Sequence, residues 1–246
     1  MQRLLSRIET GPVTDYQGRG RALKLERLRE VWFHVTDRCN LLCSHCLVSS
    51  GPSEKCEISA NRIERLSGQA HDLGARLFAL TGGEPFMHGE LPRIIEGLLD
   101  LDDTNVVILT NGTLLLHHQS ELRKWHRDRI HLQVSLDGLQ KTHDRIRGAG
   151  AFGRLLAALE WLRGAEIPFT VSMCVIQDNF HEMEDVVELA ARVGAGNVHF
   201  MWGFGRGRAK GARTTEPEAA FEHLRRASAK AKRFGVSIDN IGTLRA

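Results

Sequence analysis

Short apolar runs alternate with longer segments of helical periodicity along most of this chain. Six runs rich in Val, Ile, Leu and Phe predict β-strands, and the segments between them repeat apolar residues every three or four positions. Such a repeated strand–helix order is typical of an α/β fold with a parallel sheet, and we expect a partial (β/α)6 TIM-like barrel. The predicted strands are 31–36, 76–80, 106–109, 131–136, 169–176 and 197–201.

Helices are expected in the gaps between these strands. The first clear one starts at Ser59, a favourable N-cap residue, and places its apolar residues along one face. The last one carries many Lys and Arg residues outside its apolar stripe, so we expect a solvated outer helix. The clearest helices are predicted at 59–73, 155–162, 183–193 and 216–234, and one further strand at 236–238.

Most polar motifs of the chain directly follow a predicted strand. Because the carboxyl ends of parallel strands meet at one edge of the sheet, motifs in these positions predict a shared site. We expect the aspartate of the fourth motif, Asp137, to hold its loop rather than to do chemistry. The motifs are TDR at 36–38, TGGEP at 81–85, TNG at 110–112 and SLDG at 135–138.

The loop after the first strand holds Cys39, Cys43 and Cys46, three of the five cysteines. Three thiolates can bind three irons of a four-iron, four-sulfur cubane, which leaves the fourth iron open to chelate a small molecule. A zinc site is the alternative, although zinc normally takes four ligands in paired short spacings and only His45 is close enough to be a fourth. The polar residues of this loop argue against three purely structural cysteines.

The set of motifs resembles the radical S-adenosylmethionine (SAM) superfamily. CNLLCSHC at 39–46 and TGGEP carry the resemblance, together with TNGT, QVSLDGLQKTHDRIRG at 133–148 and GFGRGRAKG at 203–211. In this order they are similar to the branch whose members usually carry a C-terminal SPASM or twitch extension and often modify peptides. No cysteine follows Cys174, so that extension is not seen and we favour a chain truncated at a domain border.

The resemblance implies two cofactors, a [4Fe-4S] cluster and SAM. Cys39, Cys43 and Cys46 would ligate the cluster, whose open iron would bind the amino and carboxylate groups of SAM. Reductive cleavage of SAM would give methionine and a 5′-deoxyadenosyl radical that abstracts a hydrogen atom from a substrate. His45 occupies the position near the adenine, where relatives commonly have Tyr, Phe or Trp.

The second motif contributes residues suited to the amino group of SAM. Gly82 and Gly83 leave the backbone open to close approach, and Glu84 supplies a negative charge for an ammonium group. The alternative for this motif is a plain strand-to-helix turn.

Three more residues are candidate cofactor contacts at strand ends. Asn111 and Ser135 offer neutral polar groups suited to ribose hydroxyls and to the amino-acid part of SAM, although each alone is more often a turn or cap residue. Arg147 can pair bidentately with a carboxylate, and by resemblance it contacts that of SAM. A surface arginine is the competing explanation. The basic, glycine-rich segment 203–213 would suit a phosphate, a peptide carboxylate or RNA, or by resemblance the adenine pocket.

Composition narrows the remaining possibilities. The chain of 246 residues has 33 basic and 30 acidic side chains, and its net charge of +3 leaves nucleic-acid binding unsupported. No apolar run could span a membrane and the N-terminus has no signal-peptide core, so we expect a cytoplasmic protein without a membrane partner. We expect an N-terminal segment at 1–29, one barrel at 30–240 and a C-terminal end at 241–246.

The leading functional hypothesis is radical modification of a peptide or another biosynthetic precursor, with electrons from an external reductant such as flavodoxin or ferredoxin. Processing of a tetrapyrrole, as in haem biosynthesis, is the alternative within the family. A zinc-stabilised or cluster-free binding module without catalysis is the alternative of another class.

Overall fold

The computed structural model of this chain describes residues 27–125, 128–211 and 215–240. Its centre is a seven-stranded sheet in which strand order follows chain order and every neighbouring pair is parallel. The first six strands confirm the predicted ones to within two residues, and the short seventh strand confirms the further strand predicted at 236–238. The strands are β1 (Glu30–Thr36), β2 (Leu77–Gly82), β3 (Asn105–Thr110), β4 (Ile130–Ser135), β5 (Phe169–Val175), β6 (Asn197–Trp202) and β7 (Ser237–Ile238).

Helices separate these strands, as predicted. They are α1 (Ala60–Asp72), α2 (Leu91–Leu99), α3 (Gln119–Lys124), α4 (Gln140–Arg147), α5 (Ala151–Gly164), α6 (Met183–Arg192) and α7 (Pro217–Phe234), with short 3-10 turns at Pro85–Met87, Leu115–His118, Phe180–Glu182 and Gly207–Ala209. One local expectation is wrong: Ser59 lies at the N-cap of α1 but its side chain makes no capping hydrogen bond. The Glu90 carboxylate accepts one from Ala60 N instead, at 3.4 Å.

The two faces of the sheet differ in chemistry. Because strand order follows chain order and such crossovers share one hand, the helices cover one face and the other encloses the inside of an open barrel. The helix-covered face is fully apolar and includes Phe78, Leu80 and Val171. The other side, here called the interior face, carries apolar side chains on β2 and β3 and polar ones on β4 and β5, where Gln133 Nε2 donates to Ser172 Oγ at 3.1 Å. The carboxyl ends of the strands open this interior toward the predicted site.

The outermost helix, α7, also matches expectation. It buries Leu224, Ala227 and Ala231 in the main core and packs chiefly on α6, where Lys230 pairs with Glu188 at 2.6 Å, while most of its other Lys and Arg residues face outward. Phe234, at its end, is 40% exposed. None of the helices in the described ranges is long and apolar enough to cross a membrane. The predicted segment 241–246, and the predicted segment 1–29 up to residue 26, lie outside the described residues, and the predicted domain boundaries stay predictions.

Candidate functional site

The three predicted cysteine ligands lie together in the loop that leaves β1. Cys39 and Cys43 are buried around Leu41, and Cys46, which is partly buried, packs against them. All three are free thiols. The backbone holds the loop in shape, since Cys39 N donates to Gly51 O at 3.1 Å and Cys46 N to Cys43 O at 3.2 Å.

The protonation of these thiols follows from their burial. Burial raises the pKa of Cys39 to about 11, and it raises the pKa of Cys43 as well. Both are therefore neutral thiols near pH 7 in the metal-free chain, and binding of a metal must release their protons. Within residues 27–125, 128–211 and 215–240, no three His, Cys, Asp or Glu side chains converge on one point as a single metal ion would need. A cubane makes a different demand, because each thiolate binds its own iron.

Arg208, which follows β6, hydrogen-bonds to the backbone of the cysteine loop that follows β1. It lies in the 3-10 turn after β6, and its Nε donates to Cys43 O at 2.8 Å while a terminal nitrogen donates to Ser50 O at 2.6 Å. Its backbone N donates to Cys46 O at 3.0 Å. In this structure the loop binds Nε and one terminal nitrogen of the Arg208 guanidinium, and the phosphate, carboxylate or RNA contact considered for segment 203–213 stays a prediction. No sequence signal connects residues 165 positions apart in this way.

Gly82 and Gly83 bring the second motif against the start of the cysteine loop. A Cβ on Gly83 would lie 2.2 Å from Arg38 O, and one on Gly82 would lie 2.4 Å from Thr36 O. Gly82 also has a φ of +139°, which favours glycine. Gly83 N donates to Thr36 O at 2.6 Å. These glycines are needed here for the close approach of the chain that enters the cysteine loop, and their predicted contact with SAM stays a prediction.

Glu84 is fully buried, and neutral groups bind both of its carboxylate oxygens. Thr110 Oγ1 donates to Oε1 at 2.7 Å, Phe86 N to Oε1 at 3.2 Å and Asn111 N to Oε2 at 2.8 Å. Burial outweighs these bonds and raises the pKa of Glu84 to about 7. This carboxyl group joins the ends of β2 and β3. Its predicted role as an ammonium ligand requires an exchange of partners, and that role stays a prediction.

Asn111 and Ser135 are both placed at the carboxyl edge, on neighbouring strands. Asn111 Nδ2 donates to Asn40 Oδ1 at 2.9 Å and lies 3.8 Å from Cys39 Sγ, so this side chain borders the cysteine loop directly. Ser135 ends β4 opposite Ser172 on β5. Both positions fit the sequence prediction of a polar edge, and their contacts with SAM stay predictions.

Asp137 joins His45 to Arg147. Its Oδ2 lies 2.6 Å from His45 Nε2 and also 2.6 Å from Arg147 Nε. Burial alone would raise the pKa of Asp137, but the Arg147 guanidinium and His45 outweigh it and hold this pKa well below its usual range. Burial would likewise lower the pKa of Arg147, whereas Asp137 raises it. The pair is therefore ionised, and Arg147 is a buried residue rather than the surface arginine considered above.

The loop of Asp137 is also held by the next strand, as expected from the sequence. Asp137 Oδ1 accepts from Cys174 N at 2.9 Å, and Asn179 Nδ2 donates to Asp137 O at 3.1 Å. Asp137 N donates to His143 Nδ1 at 3.1 Å. These bonds fix the end of β4 against β5.

A family comparison agrees with this geometry. A model described as the radical SAM superfamily matches residues 33–190, which contain all three cysteines and every other predicted site residue. The chain belongs to the radical SAM superfamily. Members of this family use a [4Fe-4S] cluster and SAM, so the cofactor prediction is confirmed at the level of the family.

Individual relatives of this radical SAM chain differ in their described roles. The antilisterial bacteriocin subtilosin biosynthesis protein AlbA of Bacillus subtilis is 32% identical over 180 residues, covering 72% of this chain and 40% of AlbA. An AdoMet-dependent heme synthase of Methanosarcina barkeri is 36% identical over 185 residues, covering 73% of this chain and 52% of that protein. The chain thus spans 40% to 52% of the length of these two relatives.

Solved structures confirm the barrel. The crystal structure of Streptococcus suis SuiB bound to precursor peptide SuiA matches with a TM-score of 0.71 at 15% identity, covering 87% of this chain and 49% of that one. At this identity the match establishes the fold.

The residues of this chain fit the cofactors of the family. Three free thiols pack together in one loop, which is the donor set of a cubane cluster. His45 Nδ1, beside two of these cysteines in sequence, is buried and has no hydrogen-bond partner. Among the described residues, no hydrogen bond reaches the two terminal nitrogens of Arg147. The site therefore holds both the sulfur ligands and unused polar groups for a second molecule.

Proposed function

We propose that this chain is the catalytic barrel of a radical SAM enzyme that modifies a peptide. The observation that carries the proposal is the packed trio of free cysteines at the carboxyl edge of the barrel, next to the unpartnered His45 Nδ1. When bound, a reduced [4Fe-4S] cluster supplies the electron that cleaves SAM into methionine and a 5′-deoxyadenosyl radical, which abstracts a hydrogen atom from the substrate.

The side chains of the site would then bind and orient the two cofactors. Cys39, Cys43 and Cys46 hold the cluster as thiolates, and the contacts of Arg208 keep their loop closed. Arg147 offers its terminal N–H groups to the SAM carboxylate.

The remaining predicted contacts are to the nucleoside and to the amino-acid part of SAM. Ser135 and Asn111 offer neutral polar groups to the ribose and the amino-acid part, and His45 Nδ1 borders the adenine. Gly82 and Gly83 let the backbone of the second motif pack against the start of the cysteine loop. This places Glu84 beside the site, where we propose that it contacts the amino group of SAM.

The interior face supports a peptide over a tetrapyrrole as the substrate. Strands β1 to β6 contain no Lys or Arg residue, and burial lowers the pKa of the interior His131 to about 4, so that it is neutral near pH 7. A tetrapyrrole with several carboxylates would need cations there, whereas a peptide backbone suits neutral donors and acceptors such as Gln133 and Ser172. AlbA, described as a bacteriocin biosynthesis protein, points the same way.

Tetrapyrrole processing is the second candidate, favoured by the 36% identity to the heme synthase of Methanosarcina barkeri. Either reaction needs an external electron donor, for which we propose a flavodoxin or ferredoxin, and we propose a cytoplasmic location.

The proposal is tested by reacting the anaerobically reconstituted full chain with dithionite and SAM. We expect 5′-deoxyadenosine, detected by mass spectrometry, even without a substrate. Cys43→Ala should abolish it, whereas Cys56→Ala, at an exposed cysteine outside the trio, should keep it. Absence of 5′-deoxyadenosine from a wild-type protein with a full cluster would contradict the proposal.

A further inference from the structure

Asp137 binds one nitrogen of the His45 ring and one nitrogen of the Arg147 guanidinium. One carboxylate oxygen, Oδ2, contacts both His45 Nε2 and Arg147 Nε, at 2.6 Å each. His45 Nδ1 is left without a partner although only 9% of that side chain is exposed, and the terminal nitrogens of Arg147 make no hydrogen bond within the described chain. Asp137 therefore fixes the orientation of both side chains and leaves their other nitrogens unused.

Asp137 makes no hydrogen bond to the three cysteines, although its charge and that of Arg147 act electrostatically on Cys43. Among the described residues, its hydrogen bond to the cysteine loop goes to the imidazole of His45, 92 residues earlier. Its other contacts, to Cys174 N and Asn179 Nδ2, tie it to β5 and the turn that follows. A carboxylate anchored on β4 and β5 thus sets the direction of two side chains from other segments.

We propose that Asp137 is a positioning residue for SAM, which acts by aligning His45 and Arg147 and does not itself touch the reacting atoms. This inference rests on the proposed function. Its physical basis is that a hydrogen-bonded partner behind a ligand-binding side chain removes the conformational freedom that the ligand would otherwise have to remove on binding. Sequence alone assigned Asp137 only to holding its loop.

The test compares Asp137→Asn with Asp144→Asn in the anaerobically reconstituted full chain. Asp144 is a matched control because its carboxylate, on the same helix as Arg147, accepts only from Gly150 N and Phe152 N. For Asp137→Asn we expect the iron and sulfide content of the wild type, and Kd and KM for SAM raised roughly 10- to 100-fold, as when a partner behind a ligand is removed. Asp144→Asn should bind SAM as the wild type does.

A double variant tests whether Asp137 acts through Arg147. If it does, Arg147→Lys should weaken SAM binding strongly in the wild type and much less in the Asp137→Asn background. Equal effects in both backgrounds, or a wild-type Kd for Asp137→Asn, would overturn the proposal. So would loss of iron from Asp137→Asn, since Asp137 would then hold the cluster loop and not SAM.

Two further results keep the test decisive. If Asp137→Asn does not fold, Asp137→Glu, which keeps a negative charge beside Arg147 but moves the carboxylate that orients His45 and Arg147, should raise the Kd for SAM at unchanged iron content, and an unchanged Kd would overturn the proposal. The electron paramagnetic resonance spectrum of the reduced cluster, with and without SAM, reports binding independently of turnover. A wild-type chain that neither binds nor cleaves SAM would refute the proposed function instead.

Discussion

Glu84 and Asp137 are both fully buried carboxyl groups at the carboxyl edge of the sheet, but their partners differ. Glu84 accepts only from neutral groups, and burial raises its pKa to about 7. Burial acts on Asp137 too, yet Arg147 and His45 overcome it and lower its pKa. Equal burial therefore gives opposite charge behaviour, because the partners decide which protonation state the site stabilises. Glu84, with neutral partners, connects the ends of β2 and β3, and Asp137, with charged partners, binds two side chains of the site.

The largest expected effect comes from removing the charge at Asp137. Asp137→Asn should lower the free energy of unfolding of the apo-protein by about 3–5 kcal/mol, because it leaves the buried Arg147 charge without its partner. Urea unfolding at pH 7 measures this loss. If Asp137→Asn lowered the free energy of unfolding no more than Asp144→Asn does, the buried Asp137–Arg147 pair would not contribute to stability as described.

The second effect is on the pH dependence of the free energy of unfolding, to which Glu84 and Asp137 contribute with opposite signs. Since the folded-state pKa of Glu84 is raised from 4.5 to about 7, the folded chain holds more protons than the unfolded chain between these values. Its contribution to the free energy of unfolding should fall by about 3 kcal/mol as pH rises through this window. The Asp137 contribution is present above its ordinary pKa of 3.8 and is lost as pH falls below it.

Urea unfolding at several pH values measures both contributions. Each one is the free energy of unfolding of the wild type minus that of the variant, Glu84→Gln or Asp137→Asn. The Glu84 difference should shrink from pH 4.5 to 7 while the Asp137 difference stays constant. Two parallel profiles would mean that the partners do not set the two pKa values as described.

The smallest expected effect concerns the backbone beside Glu84. Gly83→Ala should lower the free energy of unfolding by about 1–3 kcal/mol, because its Cβ would lie 2.2 Å from the rigid Arg38 O. Gly68→Ala, inside α1 with no neighbour near its Cβ, should instead stabilise the chain by about 0.5–1 kcal/mol. Thermal unfolding compares the two, and a stable Gly83→Ala would show that the close approach at the second motif is not tight.

The fold and the motif positions could be predicted because they depend on local patterns. Strand periodicity located β1 to β6, and the three-cysteine spacing located the loop that follows β1. The contacts among motifs could not be predicted. Asp137 reaches His45 across 92 residues and Arg208 reaches Cys43 across 165, and neither pair has a sequence pattern that specifies the other.

The sequence also did not indicate which individual polar side chains are buried. The sequence predicts that Glu84 contacts SAM, and in this structure the neighbouring strand end encloses its carboxyl group, which the sequence did not indicate; its contact with SAM stays a prediction. Whether a carboxylate points into a cavity or against the next strand depends on the packing of β3, which a motif in the β2 turn does not encode.

The proposed function depends most on what Cys39, Cys43 and Cys46 bind. The most direct measurement is the iron, sulfide and zinc content of the full chain after anaerobic reconstitution, together with its visible absorption. We expect about four irons and four sulfides per chain and a brown protein, with the cluster lost in Cys43→Ala and kept in Cys56→Ala. Uptake of zinc without iron or sulfide, in a colourless protein, would contradict it.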